Sequence, residues 1–362
     1  MYLLAALNRL LSSGLVDIKS TGAILLGDSF AIDGYYNRLA RVITHAHSDH
    51  LRGLTESIQY SSMIIAHPIT IELLFEIINM SSTHKYMLRQ KAIPLNYNQE
   101  IEVNKEILKL LPANHIIGSA QVHVETHGFR LGFTGDFRLL NNTPVMKNLD
   151  VLVIEATYGR PEYRRPFKHE IDSILIETVI DGLSSSKPVV IYGYYGKLQE
   201  VMKILRDGGI KEPFIMPPKI YRITKIAERY GHNIGNYYNI NSREAREIRR
   251  NNAGYIMFYH MTRARYRDIR RSVNIILSGW EFNDPVKRVD PGTWLIALSD
   301  HADYEELMRY VEKAEPGFVV VDNSREGAAY DLARSIKKEL GIQAIVLPDS
   351  SGGARIDQYC RV

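Results

Sequence analysis

Thr44-His45-Ala46-His47-Ser48-Asp49-His50 sets three imidazoles and a carboxylate within six residues, directly after the run Leu39-Ala40-Arg41-Val42-Ile43. Neutral imidazole is the commonest side-chain metal ligand, and a carboxylate completes sites for zinc or for harder ions such as manganese. A strand ending near Ile43 puts His45 and His47 on one side of the chain, because alternate residues of extended backbone share a face. Asp49 and His50 then have to turn toward a neighbouring point, so one loop supplies two adjacent metal positions. The chain holds twelve histidines in 362 residues, too few for chance to gather three of them here.

The rest of the composition describes an ordinary folded protein. Apolar residues make up 45% and charged residues 24%, which excludes a disordered chain, and the length suggests about two domains. A net charge of +4 says little by itself about partners. The one cysteine, Cys360, excludes an intramolecular disulfide and suits a reducing compartment. The apolar opening Met1 to Leu7 is interrupted by Asn8-Arg9, well short of the ~20 residues that a membrane span needs. These features point to a cytoplasmic protein with no membrane association.

Along the chain, the first 160 or so residues read as strands with short helices. Gly22 to Gly27 and Ser29 to Gly34 form two strands joined by a turn, followed by Ala40–Ile43, Ile64–Ala66, Glu106–Leu111, Gln121–Glu125, Arg130–Phe133 and Val151–Ile154. Ile71, Leu74, Phe75 and Ile78 share a face at helical spacing. From about Pro166 to Phe282 helices and strands alternate, as in a parallel sheet. After Pro285 and Pro291-Gly292 the earlier style is expected to return, with a helix from Tyr304 whose first turn reads as a capping box between Asp303 and Glu306.

Three further short stretches carry suitable chemistry: Asn114-His115, Gly135-Asp136 at a strand end, and Ser299-Asp300-His301-Ala302-Asp303. Each alone is a weak signal. In their order, and with the opening cluster, they resemble the metallo-β-lactamase superfamily and its β-CASP nuclease branch. Asp33 falls at that family's first motif, the histidine cluster at its second, His115 at its third and Asp136 at its fourth. Ile154-Glu155-Ala156-Thr157-Tyr158-Gly159 is similar to the acidic motif that follows, and Ser299 to Asp303 to the branch's downstream histidine motif. Ser278-Gly279-Trp280 together with that motif looks like the DNA-ligase-associated exonucleases and mRNA 3′-end processing factor-like proteins, and Artemis-type nucleases share the branch.

The resemblance implies an α/β fold, the four-layer αββα metallo-β-lactamase domain. Residues 1–165 and 283–362 would form its two parts, with an α/β β-CASP cap inserted at 166–282. It implies two Zn2+, with Mn2+ as an alternative. His45, His47 and His115 would hold one ion, Asp49 and His50 the other, and Asp136 would bridge them, with Asp33 orienting the cluster. Asp49 and Asp136 would thereby serve the reaction, and His301 steered by Glu155 would be its general acid. The chain departs from the family at two places. Where many RNA-cleaving members carry a last ligand histidine it reads Val321-Asp322-Asn323-Ser324, and Asp322 is either a substitute ligand or a turn residue. Where the family has glycine before the third-motif histidine it has Asn114.

Charge is concentrated in the insert. Ser242 to Arg271 holds nine arginines against three acids, with tyrosines interleaved, a mixture suited to phosphates and unpaired bases. Arg263, Arg265 and Arg267 are the candidate contacts there, and Arg160, Arg164 and Arg165 would line a cleft mouth. Lys197 is a further candidate nucleic-acid contact; it follows Gly193-Tyr194-Tyr195-Gly196, which lacks the spacing and the Ser or Thr of a nucleotide-binding P-loop. The expected activity is hydrolysis of phosphodiester bonds in single-stranded DNA or RNA, in the cleft between two domains, with a repair-type DNA exonuclease favoured over an RNA-processing nuclease. Repair or RNA-processing proteins are the expected partners. A small-molecule metallo-hydrolase and a silent scaffold are the rival readings.

Overall fold

The structure is a computed structural model and describes residues 10–185, 187–251 and 254–349; Cys360 and the Met1 to Leu7 opening lie outside them. Two compact units emerge, one made of the residues up to Arg164 together with those from His301, the other of Arg165–Asp300.

In the first unit two sheets lie face to face. One has six strands in chain order: Val16–Ile18, Ile24–Leu26, Phe30–Ile32, Ala40–Ile43, Met63–Ala66 and Ala92–Pro94. The other has seven, in the order Ala344–Leu347, Val319–Asp322, Val151–Ile154, Phe129–Phe133, Ala120–Thr126, Glu106–Pro112 and Glu100–Val103. Residues far apart in sequence meet in this sheet, since Leu152 pairs with Val319 and Val320 with Ile345, both in parallel.

Alternation explains the layering. Side chains of a strand point to opposite faces in turn, and a strand buried on both faces is apolar throughout. Val151, Val153 and Val320 enter a core shared with Ile24, Phe30 and Val42 of the six-stranded sheet. Leu152, Ile154, Val319 and Val321 enter a second core with the helices Tyr304–Ala314 and Ala329–Ser335. Helices Leu54–Tyr60, Pro68–Ile77 and Ser82–Lys91 accompany the six-stranded sheet. The result is the expected αββα order, with polar residues gathered where strands end.

The second unit is a seven-stranded sheet in the order Tyr237–Asn239, Phe214–Met216, Ile256–His260, Val189–Gly193, Val273–Leu277, Thr293–Ile296 and Val286–Asp290. All neighbours pair in parallel except the last two. This corrects the insert boundary expected at residue 282. Ile275 pairs with Trp294 and Val286 with Ile296, so the insert keeps its last two strands and ends at Asp300. Pro285 and Pro291-Gly292 are the turns around a strand of the insert and do not mark its edge.

Candidate metal centre

The strand Ala40–Ile43 ends at Thr44, and the chain leaves it through His45 and His47 into a short turn, Ser48–Leu51. Arg41 holds that turn from beneath. Its fully buried guanidinium, brought down to about 10 by burial, donates to the His50 carbonyl at 3.0 Å and to Ser57 Oγ at 2.9 Å. His115 follows Asn114, whose backbone is left-handed with φ of 57°. Asparagine tolerates that conformation nearly as well as glycine does, which accounts for its presence where the family has glycine. Its Nδ2 also donates to Thr143 Oγ1 at 2.8 Å. Gly135, at φ of 56°, lies so close to the opposing chain that an added Cβ would stand 2.8 Å from the Ala120 carbonyl oxygen. Only glycine delivers Asp136 there.

These segments converge on one oxygen. Asp136 Oδ2 lies 3.1 Å from His50 Nε2, 3.6 Å from His45 Nε2 and 3.8 Å from His115 Nε2. His47 Nδ1 is 3.0 Å from His115 Nε2, and Asp49 Oδ2 is 3.4 Å from His50 Nε2. His45, His47 and His115 offer one group of ligand atoms and Asp49, His50 and Asp136 another. The two groups meet at Asp136.

The donors suit cations. The Nε2 atom of His45 is buried with no hydrogen-bond partner among the described residues, a costly arrangement for a polar atom unless something else occupies it. Burial holds the His45 imidazole well below its usual range, as a neutral ligand requires. Burial would also lower His50, yet Asp136, Asp33 and Asp49 outweigh it and push it well up. Burial would raise Asp136, but the charges of His50, His301 and His45 hold it well below the usual carboxylate range. The cluster therefore presents ionised oxygens to a spot that favours positive charge.

Asp33 anchors the arrangement. It is fully buried, and its Oδ2 lies 2.7 Å from His50 Nδ1 and accepts from Thr44 Oγ1 at 2.5 Å, while Oδ1 accepts from the Thr44 amide at 2.8 Å. Thr44 Oγ1 in turn stands 3.0 Å from His45 Nδ1. Beside the cluster His301 Nδ1 lies 3.0 Å from Glu155 Oε2. Glu155 is itself fixed by the Phe137 amide at 2.9 Å and the Thr157 hydroxyl at 2.7 Å. The sequence reading missed Arg41, Thr44 and Thr157. Thr44 directly precedes the ligand His45 and Thr157 follows Glu155 by two residues, so a hydroxyl beside a functional side chain is the signal that could find them.

The geometry gives several of the expected site residues other partners and leaves others open to solvent. Asp322 stands outside the ligand groups: its Oδ1 accepts from the Ser324 amide and hydroxyl at 2.8 and 2.6 Å, and its Oδ2 from Arg325 at 2.5 Å. Of the candidate nucleic-acid contacts, Lys197 is buried in an ion pair with Asp300 at 2.9 Å. Arg165 is buried, donates to the Gly279 carbonyl and covers the Phe282 ring. Arg267 pairs with Asp290 at 2.7 Å and donates to Thr293 Oγ1 at 2.9 Å, tying down the last strands of its own sheet. Arg160 and Arg164 are half exposed and pair with Asp331 and Glu305. Arg263 and Arg265 are exposed.

Residues 40–179 match the Beta-lactamase superfamily domain, and residues 293–348 match the Zn-dependent metallo-hydrolase RNA specificity domain. The chain belongs to the β-CASP branch of the metallo-β-lactamase superfamily. It is 42% identical over 138 residues to an uncharacterized protein in the lig 3′ region of Acidianus ambivalens, covering 38% of this chain and 98% of that one. It is 24% identical over 346 residues to a probable DNA ligase of Opitutus terrae, covering 91% of this chain and 31% of the ligase. An RNase J-like protein of Methanocaldococcus jannaschii is 30% identical over 203 residues, covering 52% of this chain and 46% of that one. The chain thus spans less than half the length of the latter two relatives. No helix among the described residues is long and apolar enough to cross a membrane.

Proposed function

We propose that this β-CASP protein hydrolyses phosphodiester bonds of nucleic acid, with two Zn2+, or Mn2+, as its cations. The observation that carries this reading is the convergence of His45, His50 and His115 on Asp136 Oδ2 within 4 Å, next to an imidazole held by its own carboxylate. His45, His47 and His115 would hold one cation and Asp49 and His50 the other, with Asp136 shared. Two such ions lower the pKa of water toward neutrality and polarise a phosphoryl oxygen.

The remaining work falls to the chain. Glu155 Oε2 takes the hydrogen bond from His301 Nδ1, which leaves Nε2 as the nitrogen able to give a proton to a departing ribose or deoxyribose oxygen. The Phe137 amide and the Thr157 hydroxyl keep the Glu155 carboxylate aimed at that ring. A neighbouring carboxylate also favours the protonated imidazole. His301 is 19% exposed, enough to meet a substrate from solvent.

A DNA exonuclease of repair type is favoured, because the match to the probable DNA ligase runs along nearly the whole chain. The RNase J-like relative supports RNA as the second reading. End-labelled DNA and RNA strands incubated with the protein and zinc or manganese test both. Metal-dependent shortening of DNA from one end is expected. Shortening of RNA alone would select the second reading, and cleavage of neither would overturn the proposal.

A further inference from the structure

Three neighbouring parallel strands of the second unit end side by side. Gly193 lies opposite His260, and Tyr192 opposite Ile276. The segments that continue from them, Tyr194-Tyr195, Met261–Tyr266 and Ser278-Gly279-Trp280, therefore leave from one end of the sheet, about 4.8 Å apart from strand to strand. Each carries a large ring into solvent: Tyr194 is 49% exposed, Tyr266 65% and Trp280 46%.

Cations and a histidine stand beside the tyrosines. His260 meets Tyr194 edge-on at 5.4 Å and tilts against Tyr195 at 4.5 Å. Its Nδ1 accepts from the Thr262 amide at 3.4 Å, starting the turn that presents Tyr266. Arg265 and Arg263 lie 4.7 and 5.7 Å from the Tyr266 ring, and Lys219, just beyond the next strand of the same sheet, lies 5.1 Å from Tyr195. Exposed aromatic rings beside guanidinium groups are the makings of a surface on which unpaired bases stack while their phosphates meet the cations. In a duplex the base faces are already covered, so the rings have nothing to gain from it.

We infer that this end of the sheet is a stacking platform for single-stranded nucleic acid, with Tyr194, Tyr266 and Trp280 as the rings and Arg263, Arg265 and Lys219 as the phosphate contacts. The inference rests on the proposed nucleic-acid substrate and names the residues that would hold its single-stranded form. It replaces the expected trio of arginines with a surface in which Arg267 has only a structural part.

Fluorescence anisotropy of the full chain with a labelled phosphorothioate oligonucleotide tests it. Tyr266→Ala and Trp280→Ala should each weaken binding of the single strand by about fivefold to a hundredfold, the range for one lost stacked base. Tyr266→Phe should bind as the unaltered chain does. The slope of affinity against salt should stay unchanged in the ring variants, since no phosphate contact is removed, and an abasic strand, which loses every stacked base, should bind the unaltered chain more weakly than the intact strand binds any single ring variant. Ring variants that bind normally, or an abasic strand that binds as well as the intact one, would overturn the platform. Equal competition by polyglutamate would also overturn it, in favour of an acidic protein partner. Cleavage is scored separately with ordinary strands: cleavage with normal binding by the ring variants sinks the platform alone, whereas ring-dependent binding without metal-dependent cleavage sinks the hydrolase reading alone.

Discussion

Asp33 Oδ2 and His50 Nδ1 stand 2.7 Å apart, both side chains fully removed from solvent. That bond fixes which ring nitrogen of His50 faces the metal position, and the Thr44 hydroxyl extends the same control to His45. Partners of this kind typically account for about 10–100-fold in metal affinity. Asp33→Asn preserves shape and tolerates the left-handed φ of 54° at this position, but removes the charge. Zinc affinity by competition with a chromophoric chelator should fall by about tenfold or more. Unchanged affinity would deny Asp33 this role.

Asp136 and His301 should separate cleanly in their effects. Asp136→Asn alters the oxygen on which both ligand groups meet, so metal content and strand cleavage should fall together. His301→Ala leaves the ligands His45, His47, His115, Asp49 and His50 intact; metal content by emission spectrometry should stay as it is, while turnover falls by about 10²–10⁴-fold. A His301 variant that lost its metal would make His301 a ligand, a role its place beside His115 and Asp136 permits, and would end the general-acid assignment.

What the sequence made legible was chemistry tied to local pattern. Val151–Ile154 reads as a strand because every residue is apolar, and the structure sends alternate members into different cores. Asp303 and Glu306 read as a capping box from their spacing alone, and each accepts the other's amide at 3.0 Å. Asp322 next to Asn323 reads as a turn more readily than as a ligand, and the Ser324 amide and Arg325 both reach its carboxylate. Partnerships across long sequence gaps were not legible. Lys197 looks like a free cation until Asp300 appears beside it, and Arg267 until Asp290 does. The strand Val286–Asp290 is the least evident, since three of its five residues are exposed and it gains its place only by pairing with Thr293–Ile296.

The Lys197 and Asp300 pair should be costly to split. Both side chains are about 95% buried, and removing one member of a buried pair leaves an uncompensated charge worth about 3–5 kcal/mol. Lys197→Met should lower the unfolding free energy by about that amount in urea titrations, and Lys197→Met with Asp300→Leu should recover most of it. Equal stability of the single and double variants would show that Asp300 is satisfied without Lys197.

His67 supplies a pH dependence away from the metal centre. It stacks on Tyr97 at 4.1 Å and its Nδ1 accepts from the Ile69 amide at the start of the helix Pro68–Ile77. Burial lowers its pKa from 6.5 to about 4. Between those values the unfolded chain binds the proton and the folded chain does not, so the contribution of His67 to stability is whole above pH 6.5 and is lost as pH falls toward 4. His67→Asn keeps a helix-capping side chain and cannot titrate. The unfolding free energy of the unaltered chain, minus that of His67→Asn, should be flat above about pH 7 and should decline steadily between pH 6.5 and 4. Measuring it on metal-stripped protein keeps ligand protonation out of the comparison. A difference that stays flat across that window would mean that His67 takes up its proton as readily in the folded chain as in the unfolded one.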